Sequence, residues 1–144
     1  MGRVRIGTYD DIPQLLDYIE TYHREDSNLQ DIPFDRKSMA ATLDYSISSR
    51  ANVIYVYDDD GDIKGFIMGG LEQFPHNQKC LWASDVMFIA NAGGSYLLKR
   101  FLSWAKAHNA KRVYMAVSTG NPAADALYDA AGLEYTGGMY RVVY

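Results

Sequence analysis

The stretch from Cys80 to Val117 changes its hydrophobic period twice, and this limits the fold more than any other feature of the chain. Cys80 to Ile89 reads as a long strand, and Ala92-Gly93-Gly94-Ser95 follows at once. Leu97, Leu98, Phe101, Leu102 and Ala105 then form one apolar stripe at helical spacing. Lys99, Arg100, Lys106 and Lys111 take the other faces and the end of that helix. Val113, Met115 and Val117 alternate with Tyr114 and Ala116, which restores the period of a strand. Strand, helix, strand in this order predicts a right-handed crossover between parallel strands.

The flanking segments complete an alternating layer architecture. Arg3 to Thr8 reads as a short strand, with several N-cap oxygens from Thr8 to Asp11 and Pro13 in a first helical turn. Ile12, Leu15, Leu16, Ile19 and Tyr22 predict a helix from about Asp11 to His23, and a polar loop from Arg24 to Pro33 follows. Asp35 can cap a second helix carried by Met39, Leu43 and Ile47. Val53 to Tyr57 and Ile63 to Phe74 read as a hairpin around Asp58-Asp59-Asp60-Gly61. Gly65, Gly69 and Gly70 inside the second strand suggest a bulge or a close backbone approach. Asn121-Pro122 opens a last helix as cap and first residue, and Gly132 closes it. Leu133 to Thr136 and Met139 to Tyr144 read as two strands around Gly137-Gly138. The order β-α-α-β-β-β-loop-α-β-α-β-β gives an α/β (α+β) class with a mixed, mostly antiparallel sheet. The 144 residues suit one domain, 1–144, and are too few for two ordinary ones.

Composition removes several function classes. The formal charge of -4 argues against a nucleic-acid binder, whose affinity comes from clustered Lys and Arg. No apolar run reaches the length of a membrane span, and the N-terminus carries no apolar signal region. The one cysteine, Cys80, excludes an internal disulfide and a Cys-rich zinc site, and no His-x-x-x-His spacing occurs, so no metal is expected. A reducing cytoplasm is the default compartment. Twelve tyrosines suit a lined cleft as well as a core.

The chemistry centres on the Gly-rich turn. Gly93 and Gly94 let a ligand approach the backbone, and the helix start at Ser95 offers N–H groups to a phosphate or pyrophosphate. Ser95 can also cap that helix. A plain strand-to-helix turn would use the same glycines for geometry alone. One strand later come Ser118-Thr119-Gly120-Asn121-Pro122-Ala123-Ala124-Asp125-Ala126-Leu127-Tyr128 and then Ala131-Gly132-Leu133-Glu134. Here the sequence resembles the GNAT superfamily of N-acetyltransferases. Asn121, Ala124, Leu127 and Tyr128 fall in the family's Asn-x-x-Ala-x-x-Leu-Tyr register, and Gly132-Leu133 stands for its Gly-Phe. Element order from Arg3 to Tyr144 also follows the family. The loop departs from it: Ile89 stands at the Gln/Arg position and Ala92 at the first Gly, or else the loop is one or two residues short. No Arg lies between Asp85 and Lys99, so backbone amides would hold a pyrophosphate without the usual charge assistance.

The resemblance implies acetyl-CoA as acyl donor, bound between the strand ending at Ile89 and one ending near Ser118, where two parallel strands splay. The implied binding residues are Met87, Phe88, Ile89, Ala92, Gly93, Gly94, Ser95, Tyr96, Asn121, Ala124 and Tyr128. Asn121 would hydrogen-bond the pantetheine arm, or act only as helix cap. Tyr128 would be the general acid, a phenol of pKa about 10 beside a thiolate of about 8.5, or would simply pack on the sheet. An amine acceptor must first lose a proton, and the family often places a carboxylate on the central strands for this. Asp85 and Glu72 are the candidates, with backbone carbonyls and water as the alternative. Strand alternation sets Asp85 with Met87 and Ile89, and Ser84, Val86 and Phe88 opposite. The implied reaction is direct transfer of acetyl to a primary amine of a small molecule, protein or peptide. A catalytically weak or inactive CoA-binding regulatory module keeps the same motifs; another nucleotide-binding α/β domain would fit the Gly-Gly-Ser loop, but no Walker Lys follows it and no Gly-x-Gly-x-x-Gly occurs. The C-terminal hairpin offers an apolar edge for a homodimer. His23 and His108 read as helix-end residues, His76 as a turn residue, Trp82 and Trp104 as packing groups, Asp58 to Asp60 as a solvated turn and Cys80 as inert.

Overall fold

A computed structural model describes residues 1–117 and 121–144. In chain order its elements are β1 (Gly2–Ile6), α1 (Ile12–Glu25), α2 (Arg36–Ser48), β2 (Asn52–Asp59), β3 (Asp62–Phe74), β4 (Asn77–Ala90), α3 (Gly94–Ala107), β5 (Ala110–Tyr114) and α4 (Pro122–Ala130). The sheet order is β1-β2-β3-β4-β5, antiparallel as far as β4, with β5 parallel to β4. The mixed sheet expected from the sequence is present, and α3 carries the crossover.

Strand alternation divides the apolar side chains between two cores. Ile54 and Val56 of β2 join Phe66, Met68 and Ile89 under Leu15, Leu16, Ile19 and Leu43 of α1 and α2. Val53 and Tyr55 of the same strand join Ile67 and Ala83 under Leu97, Phe101, Trp104 and Ala105 of α3. The apolar stripe of α3 therefore faces the sheet, as its spacing requires.

Local chemistry fixes the ends of these elements. Asp35 accepts hydrogen bonds from the Lys37 and Ser38 amides, and Asn121 accepts one from the Ala124 amide. Asp60 and Gly61 both have positive φ, 53° and 96°, the signature of a type I′ turn joining β2 to β3. At the end of α4 the Leu133 amide reaches Tyr128 O and the Gly132 amide reaches Asp129 O, with Gly132 at φ 84°, a Schellman closure.

Asp58 is more than a turn residue. Arg5 donates to both oxygens of buried Asp11 at 2.8 Å and, through Nε, to Asp58 at 2.9 Å. The Arg5 hydrogen bonds hold the Asp11 and Asp58 carboxyls below the usual carboxylate range. One guanidinium thus ties β1, β2 and the start of α1 together.

Two expectations change. β5 ends at Tyr114, so the alternation of Val113, Met115 and Val117 outlasts the strand. The expected strand end near Ser118 lies outside the described residues. After α4 no strand forms among the described residues; Met139, Tyr140, Val142, Val143 and Tyr144 are exposed instead of paired in a hairpin.

Candidate active site

The pairing of β4 with β5 runs from Leu81/Ala110 to Ser84/Tyr114 and stops, while β4 continues to Ala90. Beyond Ser84 the side of β4 turned toward β5 has no strand neighbour among the described residues. The family resemblance implies such a parting of parallel strands; the expected second strand end, near Ser118, lies outside the described residues. In place of a ladder, the Ala116 amide donates to Asp85 Oδ1 at 3.0 Å. The Tyr128 hydroxyl donates to Ala116 O, also at 3.0 Å. Asp85 from β4 and Tyr128 from α4 therefore meet on either side of one residue, at the throat of the fork.

A β-bulge aims Asp85. Met68 pairs with Met87 and Gly69 with Asp85, so Val86 is passed over and stands 60% exposed. The bulge breaks the simple alternation. Met87 and Ile89 belong to the core under α1 and α2. Asp85 pairs with Gly69, where an added Cβ would overlap the Phe101 ring of α3. Asp85 thus shares the α3 face with Ala83 and Phe88, not the face of Met87 and Ile89. Gly69 is both the bulge site and the close approach that the glycines of this strand foreshadow.

The surroundings set the proton affinities. Burial pushes the Asp85 carboxyl up, and the Ala116 amide offsets this only in part. Tyr128 is 9% exposed. Burial first, then the charges of Asp85 and Asp125, push its phenol up to about 12. Glu72 lies elsewhere. It pairs with Trp82, three residues along β3 from Gly69, on the opposite face from Asp85 and exposed to solvent. The structure does not bring Glu72 and Asp85 together.

The turn after β4 is braced from below. The Asn91 and Ala92 amides donate to Lys64 O at 2.8 and 3.2 Å, and the Tyr18 hydroxyl donates to Asn91 Oδ1 at 2.8 Å. Gly93 has φ 75°, and a Cβ there would overlap the Tyr57 ring. Gly93, not Ser95, is the N-cap of α3, and no side chain caps it. Ser95 is the second helical residue and exposed, so the amides at this helix start are left for an outside acceptor. Leu127 of α4 lies 3.7 Å from the position a Gly94 Cβ would take, which puts α4 beside the turn. Asn121 commits its side-chain oxygen to the Ala124 amide, and its Nδ2 donors remain.

Sequence reasoning missed Ala116 as the meeting point and Tyr18 as a brace. Neither leaves a local signal: Tyr18 and Asn91 are 73 residues apart. Of the histidines, His108 sits at the α3 C-cap with Nδ1 2.8 Å from Trp104 O, and His23 lies tilted against the Phe34 ring near the end of α1. Among the described residues no three His, Cys, Asp or Glu side chains gather as metal ligands. Among the described residues no helix is long and apolar enough to cross a membrane.

The sequence matches the acetyltransferase (GNAT) family over residues 15–133. The chain belongs to the GNAT acetyltransferase family. No curated protein matches it significantly. Among solved structures, this GNAT protein is similar to a transcriptional regulator from Bacillus halodurans C-125 (TM-score 0.81, 14% identity, 100% of both chains covered). It is similar to a ribosomal-protein-alanine N-acetyltransferase from Brucella melitensis biovar Abortus 2308 (TM-score 0.76, 11% identity, 99% of both chains). A predicted acetyltransferase from Clostridium acetobutylicum, solved with acetyl-CoA, is a third (TM-score 0.73, 15% identity, 99% of this chain and 96% of that one). At such identities the likeness speaks to the fold. The fork, the uncapped α3 amides and the glycine-opened turn fit the family's acyl-CoA in shape and donor type.

Proposed function

We propose that the protein transfers an acetyl group from acetyl-CoA to a primary amine by direct attack. The convergence of Asp85 and Tyr128 on Ala116 at the throat of the fork carries this reading. Support also comes from family membership and from the acetyl-CoA present in one structural neighbour. The donor supplies the acetyl thioester. The amides of Gly94, Ser95 and Tyr96 would hold its pyrophosphate, with Ala92 and Gly93 shaping the turn beneath. The free edge of β4 at Met87, Phe88 and Ile89, and the Nδ2 of Asn121 above Ala124, would hold its arm.

An acceptor amine arrives protonated, with a pKa near 10. Asp85 takes that proton, directly or through water, and its burial-raised pKa makes it a better base than an exposed carboxylate. Tyr128 holds a proton at Oη. With its pKa near 12, giving that proton to a sulfur of pKa about 8.5 runs uphill while Asp85 is charged. Once Asp85 is neutral, one cause of the Tyr128 shift disappears and the phenol becomes a stronger acid. The base thereby primes the acid. Glu72, on the outer face, would meet a cationic acceptor rather than the reacting atoms. The acceptor class is a small-molecule amine or a protein or peptide amine, and a homodimer formed through the C-terminal segment is part of the proposal.

Release of CoA from acetyl-CoA in the presence of an amine panel, with mass detection of the acetylated product, tests the reading. Tyr128→Phe should cut kcat about a hundredfold with little change in CoA affinity. An unchanged kcat would remove Tyr128 from the chemistry. One observation favours a non-catalytic CoA-binding module: no Arg stands in the turn between Asp85 and Lys99. CoA binding without product from any amine would support that second reading.

A further inference from the structure

Four elements close on the turn between β4 and α3, and the contacts from below meet at one carbonyl. β3 carries a second bulge: Tyr57 pairs with Gly65 and Asp58 with Ile63, so Lys64 is passed over. The Lys64 carbonyl accepts the Asn91 amide at 2.8 Å and the Ala92 amide at 3.2 Å, the two residues that follow β4. Beside it, a Cβ added to Gly65 would stand 2.9 Å from Ala92 O and from the Ala90 Cβ. The turn therefore lies directly on the β3 backbone. The Tyr57 ring of β2 fills the space over Gly93, and Leu127 of α4 lies beside Gly94.

α1 reaches the same point from the opposite face of the sheet to α3. Tyr18 Oη lies 2.8 Å from Asn91 Oδ1 and 3.1 Å from Lys64 O, and accepts from the Asn91 amide at 3.2 Å. A phenol has one proton, and the shorter contact gives it to Asn91 Oδ1. Burial pushes the Tyr18 phenol up, so it keeps that proton. Its ring stands edge-on to Phe66, with centroids 6.1 Å apart. Gln14, one helical turn earlier, spends its amide elsewhere: Nε2 donates to Gly61 O, and Oε1 accepts from the Ile63 amide. Gln14 thus fastens α1 to the β2–β3 hairpin, and Tyr18 carries the hydrogen bonds from α1 to the turn. A turn with two glycines has much freedom to lose, and ordering it on binding would weaken affinity. No Arg stands in it to offset that loss.

We infer that Tyr18 is a positioning residue for donor binding, its hydroxyl acting through Asn91 to fix the turn with the α3 amides already aimed at the anion. The inference rests on the proposed use of acetyl-CoA. Geometry set before the ligand arrives takes the place of a charge. It also makes α1 part of the donor site without any contact to the donor.

Calorimetric titration with CoA of the wild type, Tyr18→Phe, Asn91→Ala, their double variant and Gln14→Ala tests it. Tyr18→Phe keeps the ring on Phe66 and loses only the hydroxyl. It should weaken CoA binding about tenfold. In the free protein it should also speed hydrogen exchange at the Asn91 and Ala92 amides. Asn91→Ala should match it, and the double variant should bind no more weakly than either, because the two residues act as one unit. Gln14→Ala loses two bonds to the hairpin and none to the turn, so its CoA affinity should stay within about twofold of wild type. In turnover with the best amine of the panel, Tyr18→Phe should raise KM for acetyl-CoA and keep kcat at saturation. Unchanged CoA affinity in Tyr18→Phe, an equal loss in Gln14→Ala, or losses that add in the double variant would overturn the positioning role and leave acetyl transfer standing. A wild-type protein that binds no CoA would overturn both.

Discussion

Tyr128 titrates in the field of Asp85, and Asp85 makes the reaction and the stability depend on pH in opposite ways. The Asp85 carboxyl is raised by burial, so the native state holds its proton to a higher pH than the unfolded chain does. Stability from this group is therefore full below about pH 4 and is lost as pH rises through the folded value. Asp85→Asn keeps an acceptor for the Ala116 amide and removes the buried charge. Thermal melts should place the variant above wild type at pH 7, with the gain shrinking toward pH 4. Its kcat should fall about a hundredfold or more, since the base is gone. A variant that is both less stable at pH 7 and fully active would contradict the reading of Asp85 as a buried base. Wild-type kcat should rise through the acid range as Asp85 ionises. Because Tyr128 is pushed up to about 12, no alkaline fall from this phenol should appear below about pH 10.

The turn between β4 and α3 separates two adjacent glycines by what surrounds them. Gly93 needs φ 75° and has the Tyr57 ring where a Cβ would stand, whereas a Gly94 Cβ would meet Ala90 and Leu127 at ordinary contact distances of 3.6 and 3.7 Å. Gly93→Ala should cost about 2–4 kcal/mol in urea unfolding, combining left-handed strain with overpacking. Gly94→Ala should stay within about 0.5 kcal/mol of wild type. Comparable losses at both would mean that the Tyr57 contact does not govern the turn. The same segment shows what was legible in the sequence. The Gly-rich turn, the stripe of α3 and the Asp35 and Asn121 caps follow from local periodicity and cap chemistry, whereas the parting of strands comes only with the family resemblance. The face of Asp85 does not, because the bulge at Val86 is a property of the β3–β4 pairing, and a one-residue slip reverses every side chain beyond it. The end of β5 is hidden for a related reason: residues beyond Tyr114 alternate as a strand would, but Ala116 spends its amide on a carboxylate. Asp58 reads as a solvated turn because its partner, Arg5, is 53 residues away. Arg5→Ala should cost about 2–3 kcal/mol, below the fully buried figure because Arg5 keeps some solvent contact. Asp11 is held below the usual range by Arg5, so this stability is present above about pH 4 and lost as pH falls through the lowered value. The gap between Arg5→Ala and wild type should accordingly narrow step by step in urea titrations carried from about pH 5 down into the acid range.

Across the whole molecule the apolar surface is unevenly covered. α1, α2 and α3 seal both faces of the sheet at its centre, yet Met139 is 91% exposed and Tyr140 and Tyr144 are fully so. Contiguous apolar surface of this kind marks an interaction site in soluble proteins. Among the described residues β5 stands at the sheet's edge with ladder groups unpaired on one side, a template for another strand. Residues 139–144, Met-Tyr-Arg-Val-Val-Tyr, have the β-branched and aromatic content such a strand needs. Each copy of the chain thus holds both an open edge and a segment with the composition of a strand, and a two-fold exchange would satisfy both at once. Sedimentation velocity should show a dimer, and removal of residues 137–144 should leave a monomer whose helices persist by circular dichroism. A wild-type protein that stays monomeric at every concentration would mean that the segment closes on its own β5, and residues 139–144 should then be protected from hydrogen exchange without any partner. Because Ala116 lies just beyond β5, a strand added there also walls the fork on its outer side. Truncation should therefore lower kcat/KM together with the association state, linking the quaternary contact to the throat where Asp85 and Tyr128 meet.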